Sequence, residues 1–357
     1  MSSITRKTNL ESYRLNELSR YIIDHLSIKK FSITQRTRTF YLLKKYLQLH
    51  NISNNECLKL IEKSSNIYRI LSEQDLLDNF SEVYYIGDDK VIILVNQIGT
   101  ESVNGIIYKA IGFKTDNYLE QSIIISCKIM RIDDDNKKEI KILKMLTNEI
   151  LQKKNIHFPL SYFTSICKTP SGEYSKYPEL THNSKYFINF NEIADGDVSD
   201  LLDNYENKDL VFYNNLLSQL LISIYSFHKL GYCHNDAHYG NFLYHKIEKT
   251  NSHLTYNIFD KEYYIYNVGI LIVIWDFATA DTYYETKYSN DYIKILKSIL
   301  EYDDDIPIKD TINKIISHLE QKRDVTEEDF MKFLLSLNIF NETINVSSKS
   351  LNKIIIL

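Results

Sequence analysis

At 357 residues the chain is long enough to bury one large core or two modest ones. Its hydrophobic content of 44% and charged content of 25% are those of a folded protein, which excludes disorder throughout. A net charge of -5 excludes the basic excess that marks a general nucleic-acid binder.

With only 9 Gly and 4 Pro, loops must be built from Asn, Asp and Ser. The 4 cysteines, Cys57, Cys127, Cys167 and Cys233, form no C-x-x-C pair and read as thiols in a reducing compartment. Residues 1–18 are polar, without the apolar core of a signal peptide, and the longest apolar run, 268–275, is too short to cross a bilayer. The expectation is a soluble, cytoplasmic protein with no membrane and no nucleic-acid partner.

Residues 1–80 read as helical. Leu15, Leu18, Ile22 and Leu26 recur at steps of three and four, as do Phe40, Leu43 and Leu47, while Arg36, Arg38, Lys44 and Lys45 form a solvated basic face. From Glu82 the pattern turns to strands at 91–97, 106–113 and 122–130, rich in β-branched and apolar residues. Between the first two lies a turn-like stretch from Ile98 and Gly99 to Gly105 and Ile107, and the third ends at Lys128. A helix containing Glu139 and Glu149 follows, then the loop His157-Phe158-Pro159 and strands at 162–167 and 186–192. The second of these strands leads into N-E-I-A-D-G-D, which holds Asn191, Glu192, Ala194 and Asp197.

Leu216, Leu217, Leu220, Leu221 and Ile224 mark an amphipathic helix with Gly231 as its C-terminal stop. It delivers the chain to C-H-N-D-A-H-Y-G-N-F, residues 233–242. A polar insertion with a tyrosine-rich strand pair (Tyr263, Tyr264, Tyr266) separates that loop from the apolar run ending at Trp275, and Asp276-Phe277-Ala278 comes next. Three helices are expected after it, around 291–300, 311–321 and 326–337, the last opened by the capping box Thr326-x-x-Asp329.

Asp236, Asn241 and Asp276 carry the chemistry. One carboxylate to orient and deprotonate an attacking hydroxyl, with an amide and a second carboxylate to hold Mg²⁺, is what phosphoryl transfer requires. A carboxylate at the end of an apolar strand is costly unless a cation or hydrogen bonds hold it, which favours a metal at Asp276. Four histidines, His228, His234, His238 and His245, crowd this region without the spacing of a zinc site.

The order of these motifs over roughly residues 85–300 resembles the protein kinase-like superfamily, and H-x-D-x-H-x-x-N resembles both aminoglycoside and choline phosphotransferases and the serine/threonine kinase-like proteins of large DNA viruses. The resemblance implies an α+β, two-lobed kinase-like fold. It would comprise a helical N-terminal extension (1–80), an antiparallel-sheet N-lobe (81–192) and a reduced helical C-lobe (193–357).

It implies an ATP- and Mg²⁺-dependent kinase, viral, in the host cytoplasm or virion, acting on a serine or threonine of a protein substrate. Asp236 would be the base, Asn241 and Asp276 the metal ligands, and Lys128 the lysine at the α- and β-phosphates. Gly99, Gly105 and Ile107 would cover the nucleotide. Glu139 and Glu149 compete to pair with Lys128, and the distance to His157-Phe158-Pro159 favours Glu149. Asn191 would be the gatekeeper, the backbone of Glu192 and Ala194 would bond the adenine edge, and Asp197 would reach the ribose. Departures in the glycine loop, the D-F-A triplet and the short segment 279–289 leave two alternatives: a small-molecule phosphotransferase, or a pseudokinase that binds without catalysis.

Overall fold

The computed structural model describes residues 82–86, 90–102, 105–114, 123–153, 155–168, 185–303, 305–321, 325–343, 347–351 and 355–356. The helical extension expected over 1–80 and the loop 169–184 lie outside the described residues. Cα proximity divides the described chain into two units, 82–140 with 160–193 and 141–159 with 194–356.

In the first unit, strands β1 (Glu82–Ile86), β2 (Lys90–Ser102), β3 (Gly105–Lys114) and β4 (Ile123–Arg131) precede helix α1 (Asp134–Lys153), and β5 (Ser161–Lys168) and β6 (Lys185–Asn191) follow it. They form a six-stranded sheet in the order β1-β2-β3-β4-β6-β5, every pairing antiparallel. β2 is longer than its apolar run predicts. The stretch from Ile98 read as a glycine loop is strand as far as Ser102, with a register shift between Ile98 and Ser102. Gly99 therefore sits inside a strand and Gly105 opens the next.

Glycine at 105 has a backbone reason. Its φ is +140°, and a Cβ there would meet the carbonyl oxygen of Ile129 at 2.4 Å. α1 begins with Asp134 and Asp135, whose charge suits a helix N-terminus, and buries a stripe of Asn136, Glu139, Leu143, Leu146 and Ile150.

The second unit opens with β7 (Gly196–Asp197), α2 (Val198–Asn204) and α3 (Leu210–Lys229). α3 was expected to be amphipathic. Instead, from Phe212 to His228 only Asn214 is not fully buried, so α3 is a core helix surrounded by protein. It has the length and apolar composition of a membrane span, but 83% of that span is buried within the protein.

Several buried polar residues of α3 are bonded internally. Ser218 donates to the Ile339 carbonyl at 2.8 Å, and Gln219 Oε1 accepts from Ile272 N–H at 2.9 Å. Gly231, at φ +88°, ends the helix with its N–H on the His228 carbonyl at 2.8 Å.

Then follow β8 (Tyr232–Cys233), β9 (Phe242–Lys246), β10 (Ser252–Ile258), β11 (Lys261–Tyr266), β12 (Ile270–Ile274) and β13 (Asp281–Thr282). Helices α4 (Tyr288–Tyr302), α5 (Lys309–Gln321) and α6 (Glu327–Leu335) come next, and short strands β14 (Lys349–Ser350) and β15 (Ile355–Ile356) lie parallel to β10. The insertion is the β10–β11 hairpin, which carries the three predicted tyrosines. β12 is buried at every residue and pairs with β9, whose other edge takes β7. The β9–β12 pair and the end of α3 position the site.

Candidate active site

The segment after β8 is fixed from three sides. His234 is fully buried, and its Nε2 donates to the Trp275 carbonyl at 2.7 Å. Burial pushes its pKa down, so the ring is neutral, with Nδ1 accepting the Asp236 N–H at 3.3 Å. Asp291, in the first turn of α4, accepts the N–H groups of His234 at 2.6 Å and Asn235 at 2.7 Å. Asn235 is thereby held at φ +62°, and its side chain donates to the Thr279 carbonyl at 3.1 Å.

Asp236 stands at the centre. Its Oδ1 accepts from Lys294 of α4, its Oδ2 accepts from Asn241 Nδ2 at 3.2 Å, and His238 Nε2 lies 3.7 Å from the same oxygen. Asn241 also donates to the Asp236 main-chain carbonyl at 2.8 Å, which sets the orientation of its amide. His238 caps the short 3-10 turn Tyr239–Asn241 by accepting the Gly240 N–H at its Nδ1, 3.2 Å away.

Asp276 reaches this place through the sheet. β12 pairs Ile274 with Phe242 of β9, and the ladder continues as Trp275 N–H to the Asn241 carbonyl at 2.8 Å. The residue after Trp275 therefore emerges beside Asn241. Asp276 is in the left-handed region, at φ +59°, which few side chains other than Asn and Asp adopt. Asp236, Asn241 and Asp276 are thus gathered at the ends of two paired strands.

Behind the loop lies a buried ion cluster that the sequence reading missed. His228 of α3 bonds Asp291 through Nε2 at 2.9 Å and Glu327 of α6 through Nδ1 at 2.6 Å. Burial works against its charge, but the bonds to Asp291 and Glu327 raise its pKa to about 9, so the ring is an imidazolium. Burial alone would raise the Asp291 pKa, yet the bond and charge of His228 bring it below the ordinary carboxylate value. His228, Cys233 and Asp291 approach within 4.8 Å of one another, but both His228 nitrogens carry protons to carboxylates, leaving none for a metal.

In the first unit Lys128, 2% exposed, gives its ammonium to Glu139 at 2.7 and 2.9 Å. This corrects the preference for Glu149. Ten residues at 1.5 Å each put Glu149 about 15 Å further along α1, half-buried. Ile107 lies directly across from Lys128 in the β3–β4 register.

Glu192 has its N–H on the Leu160 carbonyl at 2.9 Å and its own carbonyl on Ser126 Oγ at 3.0 Å, so the backbone expected at an adenine edge is already bonded within the protein. Asn191 accepts from Asn189 Nδ2 at 2.8 Å in a buried amide network. Ala194, in the second unit, is half-buried just before β7. Asp197, expected at a ribose, is instead the N-cap of α2, accepting the Asp200 N–H at 3.0 Å.

No family model matches this chain, and no curated protein matches it. Among solved structures it is similar to the BubR1 kinase domain, with a TM-score of 0.38 and 13% identity. The similarity covers 63% of this chain and 59% of that one, so the chain spans less than two thirds of that domain.

Proposed function

We propose that the chain is a Mg²⁺- and ATP-dependent phosphotransferase of kinase-like fold, passing the γ-phosphoryl group to a hydroxyl with Asp236 as base. The observation that carries this reading is the meeting of Asp236, Asn241 and Asp276 at the β9–β12 strand ends. Asn235 and Asp276 there are both held at positive φ, a conformation that Asn and Asp tolerate. The donor set fits Mg²⁺. Asn241 commits its NH₂ to Asp236, which leaves its amide oxygen for a hard cation, and Asp276, which follows the Trp275 bonded to the Asn241 carbonyl, would supply a carboxylate. Mg²⁺ takes few protein oxygens and fills the rest of its shell with phosphate and water. When bound, it would neutralise charge on the phosphates.

Lys128, fixed by Glu139, is the proposed phosphate-binding lysine of the first unit. A protein serine or threonine is the first choice of acceptor. The short span between Asp276 and α4, which begins at Tyr288, favours a small alcohol as the second. The test is Mg²⁺-dependent ATP turnover in wild type and Asp236→Asn, with protein and small-alcohol acceptors offered in parallel. The variant is expected to fall to background. Turnover that survives the change defeats the assignment, and none in either protein makes the chain a binding module.

A further inference from the structure

We propose that Lys294 is a catalytic residue of this site, the cation that meets the γ-phosphoryl group. The inference rests on the phosphotransferase reading above. Its ground is the double use of a single helix turn. Three residues apart on α4, Asp291 points to the backbone N–H groups of His234 and Asn235, and Lys294 places its ammonium on the carboxylate of Asp236. The helix that sets the loop's backbone thus also delivers a charge to the proposed base.

Residues i and i+3 share a helix face, so fixing Asp291 by two N–H groups and by His228 also fixes the backbone position from which Lys294 extends. The lysine is not a structural filler. Its side chain is 45% exposed and that of Asp236 is 35% exposed, so the pair faces solvent, where an ion pair adds little to stability.

His238 is less suited to the role. Its Nδ1 is taken by the Gly240 N–H, and its Nε2 stays 3.7 Å from Asp236. Its position is that of a cap.

In the reaction, a lone pair of the acceptor oxygen attacks Pγ, and the Pγ–O bond to the β-phosphate breaks with its electron pair leaving on ADP. The hydroxyl proton passes to Asp236. Before this the acceptor hydroxyl must take the place of Lys294 at Oδ1. The displaced ammonium, on a flexible four-carbon stem, moves onto the oxygens of the transferring group, where charge is spread in the transition state.

The experiment compares wild type with Lys294→Ala, Lys294→Arg and Asp236→Asn, measuring Mg²⁺-dependent ATP turnover, Mg·ADP binding by calorimetry, and melting temperature. Lys294→Ala is expected to lower kcat about 100-fold, the loss typical of one removed charge-stabilising donor. Mg·ADP affinity and melting temperature should not move, because ADP lacks the group contacted, and Lys294→Arg should recover most of the rate. Unchanged or faster turnover in Lys294→Ala, with Asp236→Asn inactive, overturns the assignment of Lys294 and leaves the phosphotransferase reading intact. No turnover in wild type overturns both.

Discussion

His228 sits between two carboxylates in the protein interior, and its charge is held there by geometry rather than by water. Its pKa is raised to about 9 from an ordinary 6.5, so its contribution to stability is complete below pH 6.5 and is lost as pH rises through about 9. The lowered pKa of Asp291 acts in the opposite direction, contributing above the ordinary value of 3.8 and fading as acid protonates the carboxyl. The melting temperature of wild type should therefore begin to fall as pH rises above 6.5 and go on falling until about pH 9. His228→Gln should be less stable and lack that alkaline step, as differential scanning fluorimetry across pH would read. An alkaline step of equal size in the variant would mean that other groups cause it.

Lys128 and Glu139 pose the same question in the first unit. Glu139→Gln leaves a buried ammonium without its counter-charge and should cost about 3–5 kcal/mol in urea denaturation. Glu149→Gln, at a half-buried position, should cost less than about 1 kcal/mol. Equal losses would return Glu149 to the role.

At the scale of the element, the hydrophobic pattern made the strands and most helices legible, because burial fixes both. The runs at 106–113, 122–130 and 186–192 lie within or overlap β3, β4 and β6, and the capping box at Thr326 begins α6, with its Oγ1 accepting from Asp329 N–H at 3.1 Å. What the pattern hid was acid inside an apolar stripe. Glu139 lies on the buried stripe of α1, Asp291 beside Tyr288, Tyr292 and Ile295 on α4, and Glu327 ahead of Phe330, Met331 and Leu334 on α6. Composition treats such residues as solvent-facing, and only their phase on the helix shows otherwise. The helix expected around 291–300 begins at Tyr288, which puts Asp291 on the buried face of its first turn.

α3 failed in the opposite way, since a helix buried all round has no polar face to detect. Its weight in the core can be measured. Leu220→Ala should cost about 2–5 kcal/mol, against about 1 kcal/mol for Thr326→Ala at the N-cap of α6. A small loss at Leu220 would mean that the core collapses around the missing side chain.

For the whole molecule, the change of hydrophobic period past 186–192 coincides with the passage from the six-stranded sheet to the part that holds α3–α6. The sequence also singles out Asp236, Asn241 and Asp276, because two lie in H-x-D-x-H-x-x-N and the third ends an apolar run. The β9–β12 pairing that gathers two of them is a hairpin lengthened by the β10–β11 insertion, which leaves the motifs at either end undisturbed.

If the site binds nucleotide with Mg²⁺, saturating Mg·ADP at about 100 times its Kd should stabilise the protein by about 2.7 kcal/mol, and Asp276→Asn should abolish the metal-dependent part. A thermal shift with ADP that is indifferent to Mg²⁺ would argue against Asp276 as a ligand.

The imidazolium at position 228 is a rivet through three helices. It joins α3 to α4 on one side and to a residue 99 positions downstream on α6 on the other. Because the same aspartate also grips the amides of His234 and Asn235, loosening α6 would slacken the His234–Asp236 turn from a distance. Hydrogen exchange at those two amides would then serve as a gauge of α6, with no ligand present.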